Sequence, residues 1–223
     1  VSYTGNNTYE IAYKSKCKIK VESIILSKGG GYIAGDNCLI KKTSTKLYAA
    51  LSDGMGSGLK AYEASKALLK RLEGLINLPY DDEKIIRLLT ELSHISLFTS
   101  SYATLDFFSA NLATKKGKLF KIASSTSLLI RNNQIKEFNT KTLPIDFDGI
   151  LDLYEIDLEK NDIILLMSDG VFDFSNIKAL YSYILSISYL EPDKLVYNIA
   201  KYIFNESNKK LHDDTSILAI KVY

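Results

Sequence analysis

The sequence lacks the features that mark several large classes of protein. It has no dense run of lysine or arginine, because its 28 basic and 26 acidic side chains are mixed along the chain, so a nucleic-acid partner is not indicated. No apolar stretch approaches the roughly 20 residues that a membrane-spanning helix needs, so no membrane contact is expected. With no proline-, glycine- or serine-rich linker, the 223 residues are expected to form a single domain, 1–223.

Cysteine is scarce, and an initiator methionine is missing. The two cysteines, Cys17 and Cys38, have the spacing of neither a zinc cluster nor a disulfide framework, so we expect reduced thiols and a cytoplasmic setting. The chain begins at Val1 without a secretory leader, which suggests a fragment of a longer protein.

Strand-like and helix-like patterns occur in blocks along the chain. The predicted order is strands at 18–26 and 46–52, helices at 61–75 and 81–92, a meander of about five or six strands within 103–168, helices at 176–187 and 192–204, and a strand at 215–222. Runs of strands separated by pairs of helices favour antiparallel sheets with helices packed outside them, an α+β fold, over a parallel Rossmann-type sheet.

Aspartates recur in one local context. They occur in Gly35-Asp36-Asn37, Ser52-Asp53-Gly54, Ser168-Asp169-Gly170 and Asp213-Asp214-Thr215. Each lies at the start or end of a predicted strand, and both Ser-Asp-Gly segments directly follow strongly apolar strands. Any one of these segments could be an ordinary turn. Together they indicate carboxylates emerging at the rim of a buried sheet, where they suit chemistry better than packing.

Crowded carboxylates raise one another's pKa unless cations neutralise them. Hard oxygen ligands of this kind suit Mg²⁺ or Mn²⁺. The glycine after Asp53 also permits a close approach of the backbone, so the carbonyl of Gly54 could join such a site.

These residues resemble those of the type 2C metal-dependent protein phosphatases, most closely the bacterial branch typified by stage II sporulation protein E. The resemblance covers nearly the whole chain and rests on the segments Gly35-Asp36-Asn37, Ala50 to Gly58, Tyr102 to Asp106, Leu166 to Val171 and Asp213 to Ser216. It implies a phosphatase catalytic domain with the family fold, an αββα sandwich of two antiparallel sheets flanked by helix pairs. That fold agrees with the predicted element order.

The resemblance also implies two Mn²⁺ or Mg²⁺ ions. Asp53 would bridge them, with Asp36 and the Gly54 carbonyl on one ion and Asp169 and Asp213 on the other. The four aspartates are therefore the predicted catalytic residues, because a hydroxide between two such ions can attack phosphorus in line.

Some assignments stay open at this point. Asp214 is the reserve for Asp213, and Asp106 either binds a third metal or has a structural role, which we favour. The arginine and histidine that eukaryotic members hold near the metals are not evident. His94 is expected to be structural, and His212 either assists the site or is an exposed loop residue. We interpret Cys38 as structural, and solvated turns are predicted at Asp146, Asp148, Asp152 and Asp157.

Two glycines separate the Asp53 segment from the next helix. Gly56 and Gly58 could simply form a loose start to that helix. In the resembled sporulation phosphatase, the helix pair at this position is a regulatory element coupled to metal binding, so we expect residues 59–98 to act as a switch and to offer a homodimer contact.

The resemblance suggests a phosphoserine substrate, on a phosphorylated anti-sigma-factor antagonist in sporulation control. It also suggests a tether to the membrane through a missing N-terminal region. One alternative is a catalytically silent pseudophosphatase that binds a regulatory partner. Another is a two-metal hydrolase of nucleotides or nucleic acid, which the balanced charge disfavours.

Overall fold

The computed structural model describes residues 2–3, 9–10, 17–95, 102–140, 152–173 and 176–223. Its strands are β1 (Ser2–Tyr3), β2 (Tyr9–Glu10), β3 (Ile19–Leu26), β4 (Asn37–Lys42), β5 (Lys46–Ser52), β6 (Leu105–Asn111), β7 (Lys116–Ile122), β8 (Ser127–Arg131), β9 (Gln134–Phe138), β10 (Asp152–Asp157), β11 (Ile163–Met167) and β12 (Thr215–Val222). Its α-helices are α1 (Leu59–Leu75), α2 (Asp82–Ile95), α3 (Ile177–Ile187) and α4 (Pro192–Glu206).

The longer strands form two antiparallel sheets. The first sheet has the order β10-β7-β6-β5-β4, and the second has the order β3-β12-β11-β8-β9. β1 and β2 pair with each other. Apolar side chains on both faces explain why β11 and β12 lie near the centre of the second sheet, since every residue of both strands is buried.

Three apolar layers hold the sandwich together. Between the sheets, Leu47 and Phe108 of the first sheet share one core with Ile164 and Leu218 of the second. On the outer face of the first sheet, α1 and α2 contribute Leu72, Ile85, Ile86 and Leu89 to a core that includes Phe107 and Phe120. On the outer face of the second, α3 and α4 contribute Leu180, Ile184, Leu195 and Ile199. This arrangement confirms the predicted αββα sandwich.

Two details of the strand prediction were wrong. The strand β4 was not predicted, because in Asn-Cys-Leu-Ile-Lys-Lys the apolar residues are only three and are consecutive, so they show no alternation. The region 103–168 was predicted as one meander, but β6, β7 and β10 join the first sheet while β8, β9 and β11 join the second. Alternation alone identifies a strand without saying which sheet it joins.

Some predictions fall outside the described residues. They include the turn residues Asp146 and Asp148, the last part of the predicted switch, 96–98, and the side chain of His94. Among the helices that are described, none is both long enough and apolar enough to cross a bilayer.

Candidate metal centre

In the first sheet, the pairing of β4 with β5 brings Asp36 close to Asp53. Their antiparallel register places Asn37 opposite Ser52, so the aspartate before β4 and the aspartate after β5 lie at the same end of the sheet. Thr104 holds the second aspartate in place. Its hydroxyl accepts a hydrogen bond from the Asp53 amide (3.1 Å), and its amide donates to the Asp53 carbonyl (2.8 Å).

In the second sheet, the pairing of β11 with β12 brings Asp169 close to Asp213. The Ser168 amide donates to the Ser216 carbonyl (3.0 Å), and the Ser168 hydroxyl accepts from the Ser216 amide (2.9 Å). These bonds join the end of β11 to the beginning of β12. Because the sheets pack face to face, Asp169 and Asp213 lie close enough to Asp53 for their charges to raise its pKa.

Burial and the charges of neighbouring carboxylates raise the pKa values of Asp36, Asp53 and Asp169. Burial is the main cause for Asp53, followed by the charges of Asp36, Asp169 and Asp213, and together they raise the pKa of Asp53 to about 8. The pKa of Asp169 is raised by burial and then by Asp213. A site that resists negative charge in this way is one that a cation would stabilise.

Asp36 is the most deeply buried aspartate of the group. It is only 2% exposed, and burial raises its pKa. The hydroxyls of Ser216 and Ser168 lie near enough to offset part of this rise, but no donor of the described residues stands in hydrogen-bond geometry to either carboxylate oxygen. Buried polar atoms are normally paired. Two unpaired carboxylate oxygens in this position fit a hard cation such as Mg²⁺ or Mn²⁺.

The carboxylates are adjacent but do not yet form a complete ligand shell. Within the described ranges, no three aspartate, glutamate, histidine or cysteine side chains converge at a spacing that would hold one ion. The ligand roles of Asp36, Asp53, Asp169 and Asp213 stay predictions.

Gly54 packs directly against the first turn of α1. A Cβ at this position would lie 1.9 Å from the carbonyl oxygen of Ala61, so only glycine permits the contact. Gly35 approaches the same residue, since its Cβ would lie 2.9 Å from the Ala61 Cβ. Asp36, Asp53, Asp169 and Asp213 are referred to below as the acidic cluster. The backbone around this cluster and the start of α1 are therefore in van der Waals contact.

The two glycines proposed to be regulatory both have left-handed backbones. Gly56 has φ = +98° and Gly58, the N-cap of α1, has φ = +71°. Side chains are disfavoured at such angles, which accounts for glycine at both positions without a regulatory role. Their regulatory role stays a prediction.

Asp214 differs from Asp213 in its partners. Both of its carboxylate oxygens accept backbone amides, from Lys28 (2.6 Å) and from Gly35, so Asp214 holds the β3–β4 loop beside the site. Asp213 is half-buried, and its Oδ1 accepts the Asp214 amide (2.8 Å). This geometry favours Asp213 as the residue with a carboxylate oxygen left for a cation.

Variants at these neighbouring positions should therefore behave differently. Asp214→Ala leaves two loop amides without partners, and we expect it to lower the free energy of unfolding by about 2 kcal/mol. Asp213→Asn should leave stability within about 0.5 kcal/mol and weaken Mn²⁺ binding by at least about 10-fold. Urea unfolding in EDTA and Mn²⁺ titration calorimetry would measure the two effects. If Asp214→Ala weakened Mn²⁺ binding and Asp213→Asn lowered stability, Asp214 would be the ligand and Asp213 the structural residue.

Asp106 is engaged by neighbouring side chains in the first sheet. It accepts hydrogen bonds from Lys121, from Ser124 (2.7 Å) and from Ser127 (3.0 Å). This geometry supports the structural role over a third metal site. The role of Lys121 was not predicted from the sequence. Its position within the otherwise apolar run Leu119 to Ile122 was the feature that could have indicated it.

The remaining predicted residues lie outside the acidic cluster or bear on it only indirectly. His212 is exposed in the loop before Asp213. Neither cysteine forms a disulfide, and the Cys38 sulfur contacts the Ser23 hydroxyl (3.3 Å). Asp152 and Asp157 were predicted in turns, but they are the first and last residues of β10 because that strand pairs along its length with β7.

A cavity of about 190 Å³, lined by both polar and apolar residues, opens beside the cluster. Its lining residues are Leu51, Asp53, Thr104, Asp106, Ala123, Ser124, Ser125, Met167, Ser168 and Asp169. Since Asp53 and Asp169 both contribute to the wall, a molecule in this cavity would contact the acidic cluster directly.

Comparison with known proteins places this geometry in context. A sequence model of the family "Stage II sporulation protein E (SpoIIE)" matches residues 43–223. Stage II sporulation protein E of Bacillus subtilis (strain 168) is 29% identical over 153 residues, which make up 66% of this chain and 18% of that protein. The chain thus spans less than a fifth of the length of that relative.

Solved phosphatase domains share the fold. A structure of the PP2C phosphatase domain and a fragment of the regulatory domain of SpoIIE from Bacillus subtilis matches with a TM-score of 0.82 and 23% identity, covering 94% of this chain and 64% of that one. The catalytic domain of the serine/threonine phosphatase PstP in complex with two manganese ions matches with a TM-score of 0.70 and 16% identity, covering 92% and 98%. At these identities the matches establish the fold.

Proposed function

Because the chain belongs to the stage II sporulation protein E family, we propose that it is a metal-dependent protein serine/threonine phosphatase. The observation that carries the proposal is the acidic cluster at one end of the sandwich, in which Asp36 is buried and neither of its carboxylate oxygens has a hydrogen-bond partner among the described residues. Solved domains of the same fold include one in complex with two manganese ions, which supports the choice of cofactor. Residues 1–223 would form one catalytic domain.

The chain's own residues would hold two Mn²⁺ or Mg²⁺ ions. Asp53 would bridge the ions, Asp36 and the Gly54 carbonyl would complete one site, and Asp169 and Asp213 would complete the other. Such a pair, when bound, lowers the pKa of a shared water and neutralises charge on a phosphoryl group. Our proposal needs no nucleophilic side chain.

The surrounding residues orient this cluster and shape the place for substrate. Thr104 fixes the backbone of Asp53, and Ser168 fixes the end of β11 just before Asp169. The cavity beside Asp53 and Asp169 has the small side chains of Ser124 and Ser125 in its wall. It offers room for a phosphorylated serine side chain next to the cluster.

The family also supports a proposal for the substrate and the assembly. We propose that the substrate is a phosphoserine on a small anti-sigma-factor antagonist, and that the helices α1 and α2 provide a switch and a homodimer contact. A tether to the membrane would lie in a part of the protein outside this chain. Gly56 and Gly58 would allow the first turn of α1 to move relative to the Asp53 loop.

Phosphate release from a phosphoserine peptide tests the activity. We expect release that depends on Mn²⁺ or Mg²⁺, that stops in EDTA, and that falls at least about 100-fold in Asp169→Asn. The matched control is Asp157→Asn, which removes an exposed carboxylate paired with Lys116 and should keep the rate within about 2-fold.

Two outcomes would contradict the proposal. An inactive wild-type chain that binds a phosphoprotein tightly at every metal concentration would favour the pseudophosphatase. Faster hydrolysis of a nucleoside monophosphate than of the peptide would favour a two-metal hydrolase of nucleotides.

A further inference from the structure

A buried ion pair lies next to the proposed active site. Asp106 on β6 and Lys121 on β7 are directly opposite in the antiparallel register, and they are 1% and 0% exposed. The Lys121 ammonium donates to Asp106, to the Ser125 carbonyl (2.6 Å) and to the Ser127 hydroxyl (2.8 Å). All three of its donors are used.

The partners of this pair are concentrated in one connection of the chain. Ser124 and Ser127 both donate to Asp106, while Ser125 accepts from Lys121. These serines belong to residues 123–127, which lead from β7 in the first sheet to the beginning of β8 in the second. The ion pair therefore joins the two sheets at the end that carries the acidic cluster.

The same connection contains a strained residue. Ala123 has φ = +51°, in the left-handed region that alanine rarely adopts. Such conformations persist when the surroundings fix them, and they are frequent at functional sites. Here the fixing contacts come from the buried pair.

The connection forms one wall of the cavity beside the cluster. Ala123, Ser124 and Ser125 line this wall, and Asp53 and Asp169 belong to the same lining. The Ser125 carbonyl oxygen is bonded to the ammonium of Lys121. That bond engages one lone pair of the Ser125 carbonyl oxygen, so this lone pair is not directed at an anion in the cavity.

A buried ion pair is a poor device for stability alone. Replacing such a pair by apolar residues of similar size is often neutral or stabilising, whereas removing one partner is strongly destabilising. The location of this pair, with its hydrogen bonds directed at one short connection, fits a role in fixing geometry.

We infer that Asp106 and Lys121 are positioning residues, whose buried pair holds residues 123–125 as one wall of the cavity that receives the phosphorylated serine side chain. This inference rests on the proposed phosphatase function. The pair acts through the wall, while the cations are held by the neighbouring aspartates.

The test separates geometry from stability with three variants. Lys121→Met leaves Asp106 buried without its counter-charge, and its melting temperature should fall by about 10 °C. The double variant Asp106→Leu with Lys121→Met should regain most of that loss. Its kcat/KM for a phosphoserine peptide should nevertheless be about 100-fold below wild type, because the wall is no longer held.

The matched control breaks an ion pair at the opposite end of the sandwich. Arg131 forms two hydrogen bonds to the buried Asp162, at 2.8 and 2.7 Å. Arg131→Met should lower the melting temperature by several degrees, yet its kcat/KM per folded molecule should stay within about 2-fold of wild type.

Ser127→Ala supplies a second variant should the double variant not fold. Ser127 bonds to both members of the pair but does not line the cavity. The melting temperature should fall by several degrees, because the buried pair loses a hydrogen-bond partner, and we expect kcat/KM per folded molecule to fall at least about 5-fold. Calorimetric Mn²⁺ affinity should change less than about 3-fold in every folded variant.

The outcomes distinguish this inference from the proposed function. Wild-type kinetics in the stable double variant, or in Ser127→Ala, would overturn the inference and leave the phosphatase function intact. A fall in Mn²⁺ affinity of more than about 10-fold would make the pair part of the metal site and would also overturn it. A wild-type chain inactive on phosphoserine would contradict both this inference and the proposed phosphatase function.

Discussion

Replacing Asp53 by asparagine should abolish metal-dependent phosphate release. We expect kcat/KM to fall at least about 1000-fold, because Asp53 is the proposed bridge between two ions and its loss affects both. Initial rates over a full Mn²⁺ titration would measure the change. Asp157→Asn is again the control, and a rate above a tenth of wild type would remove Asp53 from the centre of the site.

The same variant should be more stable than wild type when metal is absent. The folded-state pKa of Asp53 is raised to about 8, above its value in the unfolded chain. Deprotonation therefore opposes folding progressively between about pH 4 and pH 8. In EDTA at pH 7.5, Asp53→Asn should melt above wild type, and the difference should vanish near pH 4. An unchanged difference across this range would contradict the repulsion argument.

Gly54→Ala should damage stability and activity together. The added Cβ would lie 1.9 Å from the Ala61 carbonyl oxygen, so either α1 or the Asp53 loop must move. We expect the free energy of unfolding to fall by about 3 kcal/mol. Phosphate release should also fall, because the displaced backbone carries the carbonyl proposed as a ligand. Urea unfolding and peptide kinetics would measure the two losses.

Gly74→Ala is the matched control for this substitution. Gly74 lies near the end of α1, and a Cβ there meets nothing within 4 Å. Alanine in a helix should raise the free energy of unfolding by about 0.5 to 1 kcal/mol. If Gly54→Ala were as harmless as Gly74→Ala, α1 would not be packed on the Asp53 loop in solution.

The fold could be predicted from the sequence because the strands and helices occur in blocks. The apolar periods of α1, α2 and the closing strand β12 were clear enough to place all three. β4 was not predicted, since its apolar residues, Cys38 to Ile40, are consecutive and too few to show a strand period. The division of 103–168 between two sheets depends on contacts distant in sequence, which no local pattern contains.

The acidic cluster could be located for a related reason. An aspartate directly after a buried strand must emerge at the end of that strand, so Asp53 and Asp169 were identified before their distance was known. The choice between Asp213 and Asp214 required the hydrogen bonds of Asp214 to the β3–β4 loop. The role of Lys121 was not predicted because a lysine in a strand normally faces solvent. Its burial depends on the packing of the second sheet against the first.

The division of the acidic cluster between two sheets has a consequence for folding. Asp36 and Asp53 belong to the first sheet and Asp169 and Asp213 to the second, so cations shared among them would cross-link two layers otherwise joined mainly by apolar contacts. A ligand that binds only the folded state adds about 2.7 kcal/mol at 100 times its dissociation constant. The unfolding temperature of this domain should therefore report the concentration of free Mn²⁺ around it.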